Sequence, residues 1–169
     1  MSDALYTASV PVFKQMLLAL SAVLRKAEDH ATAKKIDPNA LLQARLYPDM
    51  LPMLRQVMVA CDFAKGAAAR LAGVDVPVMP DTELTFAELQ TRIATVVSFM
   101  SGLDASLFDK PHDHEIVIQA GTPRERSFAA PTYLLHYAIP QFFFHVTTAY
   151  ALLRHNGVEI GKKDYMGAN

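Results

Sequence analysis

Apolar residues recur at intervals of three and four residues along four stretches of the chain, the spacing of one face of an α-helix. The first stretch predicts a helix from about Ala4 to His30, in which Pro11 marks a candidate first turn and Ser9 a candidate cap. The second begins between Pro48 and Pro52 and ends at Gly73. These two helices would supply half of a helical core.

The third stretch opens with the capping-box pattern Thr85–Glu88 and ends at Gly102. The fourth runs from near Pro131 to His155, and Pro140 should kink it because proline removes a backbone N–H. A short helix is predicted from Asp37 to Leu42, where Asp-Pro reads as a cap followed by a first-turn proline.

A small β-hairpin is predicted between the third and fourth helices. Ile116–Ile118 and Arg124–Phe128 flank the turn sequence Ala120–Pro123. A lone hairpin is marginally stable in water, so it must lie against the helices. The sequence therefore predicts an all-α four-helix bundle with one hairpin, as a single domain over residues 1–169.

Composition restricts the classes of function. With 51% hydrophobic residues in 169, the chain can bury a core, and 16 basic against 17 acidic residues give a net charge of −1. A nucleic-acid partner is not expected, because it needs a clustered basic surface. No apolar run approaches the roughly 20 residues of a membrane span, so no membrane partner is expected. Cys61 is the single cysteine and no signal peptide is visible, so a cytoplasmic location is predicted.

The last predicted helix carries a recognisable pattern. Residues 133–150 (YLLHYAIPQFFFHVTTAY) resemble an uncharacterised bacterial domain family, and the match continues in four shorter segments: residues 8–13, 60–65, 153–158 and 161–165. That family is similar to the DinB/YfiT-like four-helix bundles. The resemblance implies a DinB-like bundle across nearly the whole chain.

DinB-like proteins of known activity are mostly metal-dependent thiol transferases or isomerases. The resemblance therefore implies chemistry of this kind as one possibility for this chain. Their metal is held by a histidine of the second helix and a His-x-x-x-His pair on the last. With His145 as the second member of that pair, Gln141 stands at the first. The second helix has no histidine, and Asp49 and Gln56 are the polar residues that could stand there. We therefore expect a bundle without the three-histidine site and without a cofactor.

Two interpretations of these polar residues remain open. Asp49, Gln141 and His145 could form a weak, oxygen-rich site for a divalent metal. Alternatively they belong to a hydrogen-bonded polar cluster or ligand site together with Gln56 and His136, because buried polar groups need partners. His136 is read as a histidine at the edge of the core, with a catalytic base as its alternative.

Four further features carry weaker predictions. Cys61 is predicted to be a core residue, and Asp62 to pair with a cation such as Arg154 or to reach solvent. The loop cluster His112–His114 could bind metal only adventitiously. The tail at Gly161–Tyr165 could fold back over the bundle, cross to a partner subunit or remain loose.

The function expected from the sequence is small-ligand binding or an interaction role as a homodimer. The competing hypothesis is a metal- or thiol-dependent transferase or isomerase that uses Asp49, Gln141 and His145. A stress-related accessory protein without a pocket is a third, weaker class. No sequence feature names a substrate.

Overall fold

Helices dominate the computed structural model, which describes residues 4–111 and 113–167. In chain order the helices are α1 (Ala4–Thr7), α2 (Val10–Lys34), α3 (Pro38–Leu42), α4 (Met53–Ala72), α5 (Phe86–Ser101), α6 (Ala130–Thr132), α7 (Ile139–His155) and α8 (Lys162–Met166). Helix α4 packs between α5 and α7, and α2 packs against the same two helices. The predicted four-helix bundle is confirmed.

Helix ends lie where local chemistry terminates the backbone ladder. Gly73 follows α4 in the left-handed conformation, with φ of 69°, and its N–H bonds the carbonyls of the last turn. Thr85 and Glu88 form the predicted capping box in front of α5. Helix α2 continues beyond the predicted His30 to Lys34 and stops at Lys35, which has a φ of 54°.

Ser9 does not cap α2 as predicted. It occupies the position before the helix, but its hydroxyl donates back to the carbonyl oxygens of Leu5 (2.5 Å) and Tyr6 (3.2 Å). The reason is that α1 ends at Thr7, two residues before Ser9, and the last carbonyls of a helix have no partner within the helix. Ser9 is fully buried, so its hydroxyl satisfies those carbonyls instead of the next helix.

The irregularity predicted at Pro140 lies in the turns before it. Tyr133–Ala138 is π-helical and joins α6 to α7, and Pro140 is the second residue of α7. Proline lacks the N–H for the bond to residue 136, and its ring crowds that carbonyl. The wider π-helical turn accommodates both effects.

The hairpin consists of β1 (Glu115–Ile118) and β2 (Arg126–Ala129), which pair antiparallel with Ile116 opposite Phe128. Strand β2 begins two residues later than predicted. Ile116 and Ile118 alternate with exposed residues and are buried in the core. The hairpin thus rests on the bundle through one face of β1.

One segment is long and apolar enough to resemble a membrane span. The stretch Ala4–Lys34 passes on length and composition, contrary to the expectation that no run would approach that length. In the most apolar window of this stretch, 56% is buried inside the bundle. That burial is typical of the core helix of a soluble protein.

Candidate functional site: a histidine–glutamine pair beside an aromatic cleft

Gln56 of α4 and His145 of α7 meet inside the bundle. His145 Nδ1 lies 2.7 Å from Gln56 Oε1, and the residues are 8% and 1% exposed, respectively. The amide Nε2 of Gln56 donates to the backbone oxygen of Leu51 at 3.0 Å. The pair is therefore anchored to the chain that leads into α4.

This geometry fixes the tautomer of His145. Because the Gln56 amide N–H₂ is used by Leu51, its oxygen must face the imidazole, so Nδ1 carries the proton and donates. The Nε2 atom then holds the lone pair, and within the described part of the chain the ring's one hydrogen bond is that of Nδ1. Burial lowers the pKa of His145, which favours the neutral ring.

The other predicted site residues stand apart from this pair. Asp49 and His136 are exposed, and Gln141 is half-buried. None of the three forms a side-chain hydrogen bond to the pair in residues 4–111 and 113–167. Of the two candidates for the second-helix position, Gln56 and not Asp49 is the one that reaches His145.

The donor set does not fit a transition-metal ion. Within the described residues, no three His, Cys, Asp or Glu side chains converge on one point. The Gln56 oxygen already accepts the Nδ1 proton, so only the Nε2 lone pair of His145 remains as a ligand. A tetrahedral or octahedral ion needs at least three protein donors in most known sites.

Phe63 connects the buried pair to an aromatic cleft. Its ring stacks on His145 with centroids 5.8 Å apart and planes 15° apart, and it meets Tyr137 at 6.0 Å. The cleft has a volume of about 200 Å³. Its lining comes from α4, the end of β1 and the π-helical stretch: Asp62, Phe63, Arg70, Ile118, Gln119, Tyr133 and Tyr137.

The π-helical stretch places two tyrosines side by side in this wall. The rings of Tyr133 and Tyr137 are 5.9 Å apart and 30° from parallel. Phe128 of β2 lies 5.3 Å from Tyr137, and the guanidinium of Arg126 covers both rings at 4.9 and 5.3 Å. The wall is thus a continuous aromatic surface with a cation at its outer edge.

Arg70 gives the cleft its polar end. Its Nη1 atom donates to the hydroxyl of Tyr133 at 3.3 Å. Burial raises the pKa of Tyr133, so this hydroxyl stays neutral near pH 7. The sequence analysis did not identify Arg70 or Tyr133 as site residues. The signal was present in Tyr133 and Tyr137, four residues apart on one helix, and in Phe63 and Arg70, seven apart on another.

A second charged cluster surrounds Arg92 of α5. This guanidinium has no exposed surface and contacts three carboxylates: Asp62 (2.8 Å), Asp81 (3.1 Å) and Glu83 (2.9 Å). Asp62 also pairs with Lys65 at 2.9 Å, so the predicted pairing with a cation is confirmed, but the partners are Arg92 and Lys65 instead of Arg154. Lys65 is three residues from Asp62 on the same helix, whereas the contact with Arg92 follows from the packing of α5 against α4.

Cys61 is a core residue, as predicted. It is fully buried, and burial raises its pKa to about 12. A thiol with that pKa is almost entirely protonated at neutral pH, and the thiolate is the nucleophilic form. Cys61 therefore carries none of the chemistry of a thiol-dependent enzyme.

The tail folds back on its own chain. Asp164 of α8 pairs with Lys26 of α2 at 2.6 Å, and the hydroxyl of Tyr165 lies 2.9 Å from that of Thr147. Of the three alternatives predicted for the tail, the structure shows the first, in which it folds back over the bundle. In the loop cluster, His112 lies outside the described residues, and His114 Nδ1 contacts the backbone oxygen of Pro111 at 3.1 Å.

Comparison with known proteins agrees with this architecture. The sequence profile described as Domain of unknown function (DUF1993) matches residues 5–166. The chain is similar to the crystal structure of a DinB family member protein from Shewanella denitrificans, with 41% sequence identity and a TM-score of 0.92. That similarity covers 99% of this chain and 94% of the other. No curated protein sequence matches at a significant level.

Proposed function

The chain belongs to the family described as Domain of unknown function (DUF1993) and is built as a DinB-like bundle, and on this premise we propose that it binds a small organic molecule without a metal ion. The observation that carries the proposal is the cleft between α4, the hairpin and the π-helical stretch. It joins apolar aromatic walls to a few polar groups, which is the usual make-up of a ligand site.

The size of the cleft supports this proposal. An apolar cavity of about 150 Å³ holds a benzene molecule. The present cleft, at about 200 Å³, has room for a ring with one substituent. Its aromatic wall offers ring faces and edges for contact with a ligand ring, and Arg70 and Gln119 offer polar contacts.

Two-dimensional NMR with a library of small ring compounds tests the proposal on protein washed with EDTA. We expect binders whose chemical-shift changes centre on Phe63, Ile118 and Tyr137. The variant Tyr137→Ala should lose them, because it removes the central ring of the wall. Tyr150→Ala is the matched control, since this half-buried tyrosine of α7 packs on Tyr165 away from the cleft.

Two results would contradict the proposal. The first is a library in which no compound perturbs the cleft. The second is binding that appears only after a divalent metal is added, which would return the chain to the metal-dependent class. Equal affinity of Tyr137→Ala and the wild type for a library compound would show that the compound binds outside the cleft.

We also propose that the protein acts in the cytoplasm as a homodimer, with no nucleic-acid or membrane partner. The supports are a buried free thiol, a net charge of −1, and two exposed apolar side chains, Leu135 of the π-helical stretch (52%) and Phe144 of α7 (53%). Sedimentation velocity at micromolar concentration should give a dimer that Phe144→Glu dissociates. A wild-type monomer refutes the dimer.

A further inference from the structure

The side chain of Arg70 rests on a glycine of its own helix. A Cβ placed on Gly66 would lie 2.6 Å from Arg70 Nη1. Gly66 is in the middle of α4, where glycine is less stable than alanine. The absence of a side chain at this position leaves the space that the guanidinium occupies beside Tyr133.

Arg70 has no acidic partner within the described residues. Its hydrogen-bond partner is a neutral hydroxyl, whereas Arg92 in the same bundle contacts three carboxylates. A half-buried guanidinium without a counter-ion is unfavourable, because part of its hydration is lost and one long hydrogen bond to a neutral hydroxyl replaces only a part of it. An anion in the cleft would supply the missing charge.

The one carboxylate in the lining does not fill this role. Asp62 Oδ1 is held by Arg92 Nη2 at 2.8 Å and by Lys65 Nζ at 2.9 Å. Both partners are nearly fully buried, so the Asp62 charge is already compensated. Arg126, at the outer edge, adds a second positive charge above the aromatic wall.

We propose that the cleft binds an aromatic carboxylate, with the carboxylate paired to Arg70 and the ring packed in the angle between Tyr137 and Phe63, whose planes are 67° apart. This inference rests on the proposed function and names the ligand class for the same cleft. A planar carboxylate matches the two parallel N–H donors of a guanidinium. The single guanidinium of Arg70 favours a ligand with one acid group, and the aromatic rings of the wall favour a ligand with an aromatic ring.

Titration with three probes separates these contributions: benzoate, neutral benzamide and saturated cyclohexanecarboxylate. Isothermal calorimetry and NMR shift mapping should show that benzoate binds the wild type at least about tenfold more tightly than benzamide, the range of a charge-assisted contact. Cyclohexanecarboxylate should bind more weakly than benzoate, because its saturated ring cannot form aromatic contacts with the tyrosine and phenylalanine rings of the cleft. All shifts should centre on the cleft.

Four variants locate the charge. Arg70→Gln should weaken benzoate binding at least about tenfold and leave benzamide binding nearly unchanged. Arg154→Gln, on the exposed surface of α7, is the matched control and should bind as the wild type does. Gly66→Ala should also weaken benzoate binding by moving the guanidinium, with a melting temperature equal to or above that of the wild type. Arg126→Gln should cost less than Arg70→Gln.

The outcomes distinguish this inference from the proposed function. Equal affinity for benzoate and benzamide at the cleft overturns the aromatic-carboxylate assignment and leaves small-ligand binding standing. Wild-type affinity for benzoate in both Arg70→Gln and Gly66→Ala also overturns the aromatic-carboxylate assignment and leaves small-ligand binding standing. If no probe and no library compound perturbs the cleft, both conclusions fall.

Discussion

The amide of Gln56 determines the chemical state of His145. It accepts the Nδ1 proton and is itself held by the backbone at Leu51, so the imidazole is presented in one tautomer. Its Nε2 lone pair points away from the amide. Gln56 therefore acts as a structural hydrogen-bond acceptor that fixes the orientation of His145.

Replacing Gln56 with leucine should destabilise the protein by about 1–3 kcal/mol. The substitution keeps the volume but leaves the buried Nδ1–H without an acceptor. Urea denaturation gives the difference in free energy of unfolding. Gln141→Leu is the control, and we expect a change below about 0.5 kcal/mol, because this half-buried amide has no hydrogen bond to the pair. Equal losses in the two variants would contradict the assignment.

The lowered pKa of His145 predicts a loss of stability in mild acid. In the unfolded chain the imidazole has an ordinary pKa near 6.5, whereas burial lowers it in the folded state. The unfolded state therefore takes up the proton first, and stability falls as the pH drops through 6.5 toward the folded-state pKa. NMR titration of the imidazole, assigned with His145→Gln, checks the direction. A folded-state pKa at or above 6.5 would refute it.

Residue patterns on one helix were predictable, and partners across helices were not. The spacing of four between Gln141 and His145 is visible in the sequence and suggested that they act together. The structure instead joins His145 to Gln56, 89 residues away. Arg92 is a stronger case, because a charged residue at 1% exposure contradicts every expectation from hydropathy.

At the scale of elements, the Arg92 cluster holds the connection between α4 and α5 in place. Asp81 and Glu83 belong to that connection, and Asp62 belongs to α4, so one guanidinium ties three segments together. Arg55 pairs with Asp81 from the outside at 2.9 Å. The proline-containing segment is thus fixed by charge more than by apolar burial.

Arg92→Met should destabilise the fold by about 1–3 kcal/mol, because three carboxylates lose a charged partner and Glu83 is left nearly buried without one. Hydrogen exchange should rise first in residues 74–85. Arg55→Met is the matched control and should cost below about 1 kcal/mol, since that pair is partly exposed. The prediction fails if the two variants lose similar stability or if exchange in the connection is unchanged.

The ends of elements followed from local chemistry. Gly73 and the capping box at Thr85 ended and began helices where predicted, because their backbone geometry is set by neighbouring residues. The π-helical stretch was predicted only as a kink at Pro140. Proline indicates that the ladder is interrupted, but packing decides how the preceding turns absorb the interruption. That choice also created the tyrosine wall of the cleft.

At the scale of the whole molecule, α8 closes the outside of the bundle over α2. Its contacts include the ion pair between Asp164 and Lys26 and the hydrogen bond from Gln15 to the backbone of Met166. No residue of α8 is fully buried. The helix therefore adds a surface layer to a core that the four long helices complete.

A chain that ends at Ile160 should remain folded with a single unfolding transition. Loss of one exposed ion pair and the partly buried Tyr165 should cost about 1–2 kcal/mol, which lowers the melting temperature by less than about 8 °C. Calorimetry measures both quantities, and a chain that ends at Gly167 is the control. A truncated protein without a cooperative transition would show that α8 is part of the core.

The placement of α8 has a consequence for turnover in the cell. A processive unfoldase that pulls on the chain from the side of α8 would first detach this five-residue helix and meet little resistance. The next element to be unfolded would be α7, which packs against α4 and α2. Extraction of α7 from the bundle should therefore be the slow step that determines the rate of degradation.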